Sequence, residues 1–158
     1  MKDVLCAYAM VTEPVDGGCF VKFGITNELS RRVKQIQSSC PINIMRVMYV
    51  GCSSQQAQER LEAALHMEHL GQSVGGEWFK IPGSHAVEEV NEAMLYIGQR
   101  ELGRAVVEDL ALPARNNPRA RILGRYRKRE LRSYVIGDVD PSSVEIRVKR
   151  KITVDRKA

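Results

Sequence analysis

The stretch FVKFGITNELSRR, residues 20–32, decides the fold and carries the first candidate site residues. Its first half has the aromatic and β-branched residues of a half-buried strand. Gly24 allows the chain to approach a neighbour or a ligand closely. The turn that follows supplies N-cap residues, and apolar residues then recur at helical spacing. The stretch therefore predicts that Arg31 and Arg32 lie at one sheet edge, where an anionic phosphate would fit. A surface helix with solvated arginines is the alternative.

The neighbouring segments extend this unit into an α/β (α+β) domain. Residues 4–11 are an apolar run of strand length, and the turn-forming residues 13–18 join this run to the next strand as a hairpin. Residues 44–50 predict a third strand after the first helix. The pattern indicates a small three-stranded mixed sheet with a crossover helix, flanked by further helices.

More helices are predicted after the third strand. Ser53 and Gln56 have the spacing of a capping box at the start of one helix. Ser84 is a suitable cap for the next, in which apolar residues recur every three or four positions. Gly98 marks a break or bend, and residues 101–112 could form one more short helix.

Three residues in the middle of the chain could carry chemistry. Glu62 and His66 lie four residues apart in a predicted helix, so both side chains can reach a common point. An exposed glutamate and histidine on a helix surface is the alternative. Glu77 follows a glycine pair and precedes Trp78, which most simply closes the core. A cap or a salt-bridge partner is the simplest interpretation of Glu77.

Charge is distributed unevenly along the 158 residues. Residues 112–158 hold 14 of the 24 Lys and Arg but only 5 of the 19 Asp and Glu, so this segment is strongly basic. We expect a domain at residues 1–111 and a basic extension at 112–158 that binds nucleic acid. A ribosomal or acidic-protein partner would also fit the charge. The expected nucleic-acid contacts are Arg31, Arg125, Arg127, Lys128, Arg129, Lys149, Arg150 and Lys151.

Composition excludes some other classes of protein. No apolar run approaches the length of a membrane span, and the first residues lack the pattern of a secretory signal. We therefore expect a soluble cytoplasmic protein. The four cysteines have no metal-ligand spacing, so reduced and mostly buried thiols are expected.

Five short motifs, taken together, resemble the GIY-YIG nuclease superfamily, in particular its shorter phage and bacterial branch. The matching residues are Cys6-Ala7-Tyr8, Lys22-Phe23-Gly24, Arg32, Glu62-Ala63-Ala64-Leu65-His66 and Gly76-Glu77-Trp78-Phe79. They occur in the family's order and at family-like spacing. The resemblance covers about residues 4–82, roughly half of the chain.

The resemblance implies a metal-dependent endonuclease that hydrolyses DNA phosphodiester bonds. Glu62 matches the glutamate that holds one divalent cation, Mg²⁺ or Mn²⁺, and His66 shares its helix face. Tyr8 matches the tyrosine that takes a proton from the attacking water. Arg32 matches the arginine that stabilises charge on the scissile phosphate.

Lys22 occupies the place of the family's second tyrosine, where it could orient the water or neutralise the phosphate. Because lysine ordinarily has a pKa near 10.4, it could replace that tyrosine as a base only if its pKa were lowered. A catalytically inactive nucleic-acid-binding protein or phage regulator is therefore the alternative function. RNA is not excluded as the bound nucleic acid, and a structural or decoy protein with a solvated tail is a third possibility.

Overall fold

The computed structural model describes residues 4–113, which contain six strands and three α-helices. In chain order the elements are β1 (Cys6–Thr12), β2 (Gly18–Thr26), α1 (Leu29–Ser39), β3 (Ile44–Gly51), α2 (Gln55–Glu68), β4 (Ser73–Gly75), β5 (Trp78–Pro82), α3 (Ala86–Leu102) and β6 (Val107–Ala111). A 3₁₀ turn, Leu70–Gln72, joins α2 to β4.

The strands form one six-stranded sheet in the order β4-β5-β2-β1-β3-β6. Every neighbouring pair is antiparallel. The general α/β (α+β) class is therefore confirmed, whereas the predicted three-stranded mixed sheet is wrong.

The position of β1 explains the error. Both β2 and β3 pair with β1 and run antiparallel to it, so they are parallel to each other without being neighbours. Helix α1 connects β2 to β3 and is a crossover connection, as the sequence predicted. The sequence pattern indicates the crossover but does not reveal that β1 lies between the two strands that α1 joins.

The end of the described chain also differs from the sequence prediction. Helix α3 continues through Gly98, where an added Cβ would lie 2.7 Å from the Cβ of Ala105. This glycine therefore permits close packing rather than a bend. The helix ends at Gly103, whose φ of 75° suits glycine. The predicted helix at residues 101–112 is wrong beyond that point, because β6 pairs with β3 there.

Strand alternation divides the core into two layers. On one face of the sheet, Tyr8 and Phe20 pack with Leu29 and Val33 of α1. On the other face, residues such as Phe23 pack with α2 and α3. The sheet is thus covered on both faces, and its strand ends can collect side chains from both layers.

The helix caps are close to the predicted ones. Ser54 rather than Ser53 caps α2, because its hydroxyl accepts a hydrogen bond from the Ala57 N–H at 3.1 Å. His85 rather than Ser84 precedes α3.

The composition also predicted reduced thiols and no membrane-spanning segment. All four cysteines are free, and three of them are buried, as expected. Among the described residues, no helix has the length and apolar character needed to span a membrane.

Candidate active site

A buried glutamine fixes α2 against two strand ends. The Gln58 side chain is 3% exposed, and its Nε2 donates to the Cys6 carbonyl at 3.0 Å and the Thr26 carbonyl at 2.8 Å. These carbonyls belong to β1 and β2. Because Glu62 follows Gln58 by one helical turn, the clamp holds Glu62 beside the strands that carry Tyr8 and Lys22.

Tyr8 lies on β1 directly opposite Gly24 of β2. Its side chain is buried, with 2% exposure. Burial raises the pKa of the Tyr8 phenol to about 12; the Arg32 charge opposes this rise, while Glu77 and Glu62 add to it. The phenol is therefore protonated at neutral pH and lies within the electrostatic reach of three charged side chains.

The two adjacent arginines of α1 have different surroundings. Arg31 is 70% exposed and donates to the Glu28 carboxylate at 2.8 Å. Arg32 is also exposed, but its charge acts on the Tyr8 phenol. Within residues 4–113, none of the ion pairs involves Arg32. Arg32 can therefore accept an anion without breaking an ion pair to a described residue.

Lys22 has a carboxylate partner. Its ammonium donates to the Glu77 carboxylate, and its Nζ lies 5.8 Å from the centroid of the Trp78 ring. The Lys22 side chain is 15% exposed, whereas that of Glu77 is 51% exposed. The interpretation of Glu77 as a salt-bridge partner is thus confirmed. Glu77 and Gly76 form the tight turn between β4 and β5, where Gly75 and Gly76 have φ of 127° and 57°.

Glu62 is half-buried on α2. Burial raises the pKa of its carboxyl group; His66 and Lys22 lower this pKa, while Glu77 and Glu59 raise it further. The field at Glu62 therefore comes from the groups that surround Tyr8 as well as from its own helix. A cation bound beside this carboxylate would compensate for the lost solvation.

His66 packs against aromatic rings. Its ring centroid lies 5.2 Å from that of Phe79 and 6.3 Å from that of Phe23. Its Nε2 is buried and has no hydrogen-bond partner among the described residues. His69, one turn later, packs 4.7 Å from Phe23, and its Nδ1 lies 2.8 Å from the Leu65 carbonyl oxygen. His66 is therefore held by apolar packing beside Glu62.

The donor set limits how a metal could bind. Among residues 4–113 there is no group of three or more His, Cys, Asp or Glu side chains arranged around a metal position. A closed protein cage is therefore absent from this region. The half-buried Glu62 carboxylate does fit Mg²⁺, because this ion commonly binds one or two carboxylates and keeps several waters.

Electrostatic interactions link Tyr8 to Arg32 and Glu62, and they link Glu62 to His66 and Lys22, so the five predicted site residues lie in one region of the fold. Arg31 lies on the same helix as Arg32 but is paired with Glu28. The other expected nucleic-acid contacts, which are Arg125, Arg127, Lys128, Arg129, Lys149, Arg150 and Lys151, lie outside the described residues.

Sequence reasoning missed the role of Gln58. A signal was present, because Gln58 lies next to Ala57 and three residues before Leu61, on the buried side of α2. A polar side chain at such a position requires hydrogen-bond partners. What the sequence could not supply was their identity, since the two carbonyls lie 52 and 32 residues away.

The T5orf172 domain family matches residues 5–97, more than half of the chain. No curated protein matches the chain, and no solved structure does.

Proposed function

The chain belongs to the T5orf172 domain family, and we propose that it is a metal-dependent endonuclease that hydrolyses DNA phosphodiester bonds. The observation that carries the proposal is that the charges of Arg32, Glu62 and Glu77 all act on the Tyr8 phenol. Cationic side chains and a carboxylate that can hold a metal ion are groups that stabilise the phosphate charge during phosphodiester hydrolysis. The resemblance of the five motifs to GIY-YIG nucleases supports the same function.

The two cationic side chains would bind the scissile phosphate. Arg32 presents a planar guanidinium that can donate two parallel hydrogen bonds to phosphate oxygens. Lys22, on strand β2, adds a point charge. Together they would stabilise the negative charge that develops on the phosphate as the bond breaks.

The carboxylate of Glu62 would hold Mg²⁺ or Mn²⁺. When bound, the cation would supply Lewis-acid stabilisation of the phosphate and of the leaving oxygen. His66 would support the Glu62 carboxylate, since it opposes the rise that burial causes in the pKa of that group.

Tyr8 would act at the attacking water. With a pKa of about 12, its phenol keeps its proton at neutral pH and cannot take another from the water. Proton acceptance from water, the role implied by the family resemblance, needs additional positive charge near the phenol. Arg32 already lowers the pKa of Tyr8, and a cation at Glu62 would act in the same direction.

A non-cleaving nucleic-acid-binding protein is the second candidate function. The high pKa of Tyr8 favours it, because a phenol that never loses its proton cannot act as the base. The same cations and the basic extension would then bind DNA or RNA without hydrolysis.

Nicking of supercoiled plasmid separates these functions. Wild-type protein is assayed with Mg²⁺ and with EDTA, beside Glu62→Gln and the control Glu68→Gln, whose exposed carboxylate lies on the same helix. The proposal expects Mg²⁺-dependent nicking that Glu62→Gln abolishes and Glu68→Gln retains. Binding without nicking would support the second function, and equal nicking by both variants would remove Glu62 from the site.

A further inference from the structure

Lys22 and Glu77 form an ion pair at the centre of the proposed phosphate site. The ammonium of Lys22 is largely covered, with 15% of the side chain exposed, and Trp78 lies along one side of it. Glu77, whose side chain is 51% exposed, therefore contacts this ammonium from the solvent side. A carboxylate and a phosphodiester both bind an ammonium through anionic oxygens.

We propose that Glu77 is a gate for the phosphate site: its carboxylate binds the Lys22 ammonium in the free protein, and a DNA phosphate replaces it. This inference rests on the proposed site but not on cleavage, since it concerns phosphate binding alone.

The positions of the two side chains determine which partner moves. Lys22 lies within β2 and is paired in register with Trp78 of β5, so its backbone is fixed from both sides. Glu77 lies outside the strands, in the turn that it forms with Gly76 between β4 and β5. Its side chain is 51% exposed. The carboxylate can rotate into water at little cost, whereas the ammonium stays in the site.

Electrostatics favour the departure of the Glu77 carboxylate when a phosphate enters the site. The Glu77 charge raises the pKa of both Glu62 and Tyr8, so it adds negative charge to the region that must receive a phosphate. Rotation of Glu77 into water leaves Lys22 and Arg32 as unpaired cations facing the ligand. The gate therefore reduces the affinity for phosphate in the free protein and keeps Lys22 neutralised until DNA arrives.

A double-mutant cycle on DNA binding tests the gate. The affinity of the full chain for a fluorescent duplex is measured in EDTA, without cleavage, for wild type, Glu77→Gln, Lys22→Met and the double variant. Because a half-exposed ion pair contributes little, Glu77→Gln should bind about two- to fivefold more tightly than wild type. In the Lys22→Met background the same change should give a clearly smaller gain, because only the general effect of the Glu77 charge is then removed.

The control is Glu101→Gln, which removes a carboxylate paired with Arg100 on α3. This variant should bind as wild type does. Three results would overturn the gate: an equal gain in the Lys22→Met background, an equal gain from Glu101→Gln, or weaker binding by Glu77→Gln. Failure of the nuclease proposal is distinguishable, because it appears as absence of Mg²⁺-dependent nicking while the binding cycle is unaffected.

Discussion

The hydroxyl of Tyr8 lies against Gly24 on the neighbouring strand, so close that a Cβ on residue 24 would be 2.5 Å from it. The next atom of the ring, Cζ, would be 2.7 Å away. The glycine therefore lets the phenol extend across β2 toward the charges of Arg32, Glu62 and Glu77. This contact joins the Cys6-Ala7-Tyr8 motif to the Lys22-Phe23-Gly24 motif.

Gly24→Ala should displace the Tyr8 ring and destabilise the protein. Because Tyr8 is buried, the ring cannot move freely, and overpacking of this kind costs about 1–3 kcal/mol in the free energy of unfolding. Urea denaturation measures the change. Gly51→Ala is the matched control, since it lies in β3 with nothing within 4 Å of the added Cβ. Equal stability of the two variants would show that Gly24 is not required by Tyr8.

Gln58→Leu should also destabilise the fold, because it removes the donor for the carbonyls of Cys6 and Thr26. Leaving buried acceptors unpaired costs about 1–3 kcal/mol for each group. Thermal unfolding of Gln58→Leu and of Gln55→Ala, an exposed position on the same helix, provides the comparison. A Gln58→Leu protein as stable as Gln55→Ala would show that the clamp contributes nothing.

Glu62→Gln should raise the melting temperature of the metal-free protein at neutral pH. The pKa of Glu62 is raised in the folded state, so ionisation of this carboxyl group opposes folding. The protonated carboxyl group is the form that favours folding. Its contribution to stability is complete below the ordinary glutamate pKa of about 4.3 and is lost as the pH rises through the higher folded-state pKa. The difference between wild type and variant should therefore shrink toward pH 4. A lower melting temperature for Glu62→Gln at pH 7 would contradict this account.

Removal of the chain after Pro113 should weaken DNA binding and reduce its salt dependence. The deleted segment carries 14 basic and 5 acidic residues. The slope of log affinity against log salt should flatten by about one unit for each DNA phosphate that the extension neutralises. The cut follows Pro113 because the Leu112 N–H donates to the Met45 carbonyl at 2.8 Å and belongs with the sheet. An unchanged affinity and slope would mean that the extension binds another partner.

Local sequence patterns predicted the strands and helices whose conformation depends mainly on nearby residues. The strands β1, β2 and β3 and the helices α1 and α2 follow from apolar periodicity, and Ser54 caps α2 one residue from the expected position. The strand β6 was missed because pairing with β3, including the Arg46–Asp109 ion pair, decides its conformation. Such long-range pairing is not encoded in the local sequence.

The candidate site also has features that the local sequence predicts and features that depend on long-range pairing. Tyr8, Arg32 and Glu62 were singled out by motif spacing, and the Arg32 and Glu62 charges do act on the Tyr8 phenol in the fold. The burial of Tyr8 and the partner of Lys22 depend on how β1, β2 and β5 assemble. These features became visible only when the strands were placed side by side.

The most direct test of the central claim compares two adjacent arginines on α1. Single-turnover cleavage of a DNA substrate in Mg²⁺ is measured for Arg32→Lys and Arg31→Lys. Because lysine keeps the charge but not the planar guanidinium, Arg32→Lys should slow cleavage by about a hundredfold or more. Arg31→Lys should remain near the wild-type rate, since Arg31 is exposed and paired with Glu28. Equal rates for the two variants, or a larger loss with Arg31→Lys, would contradict the assignment of the site.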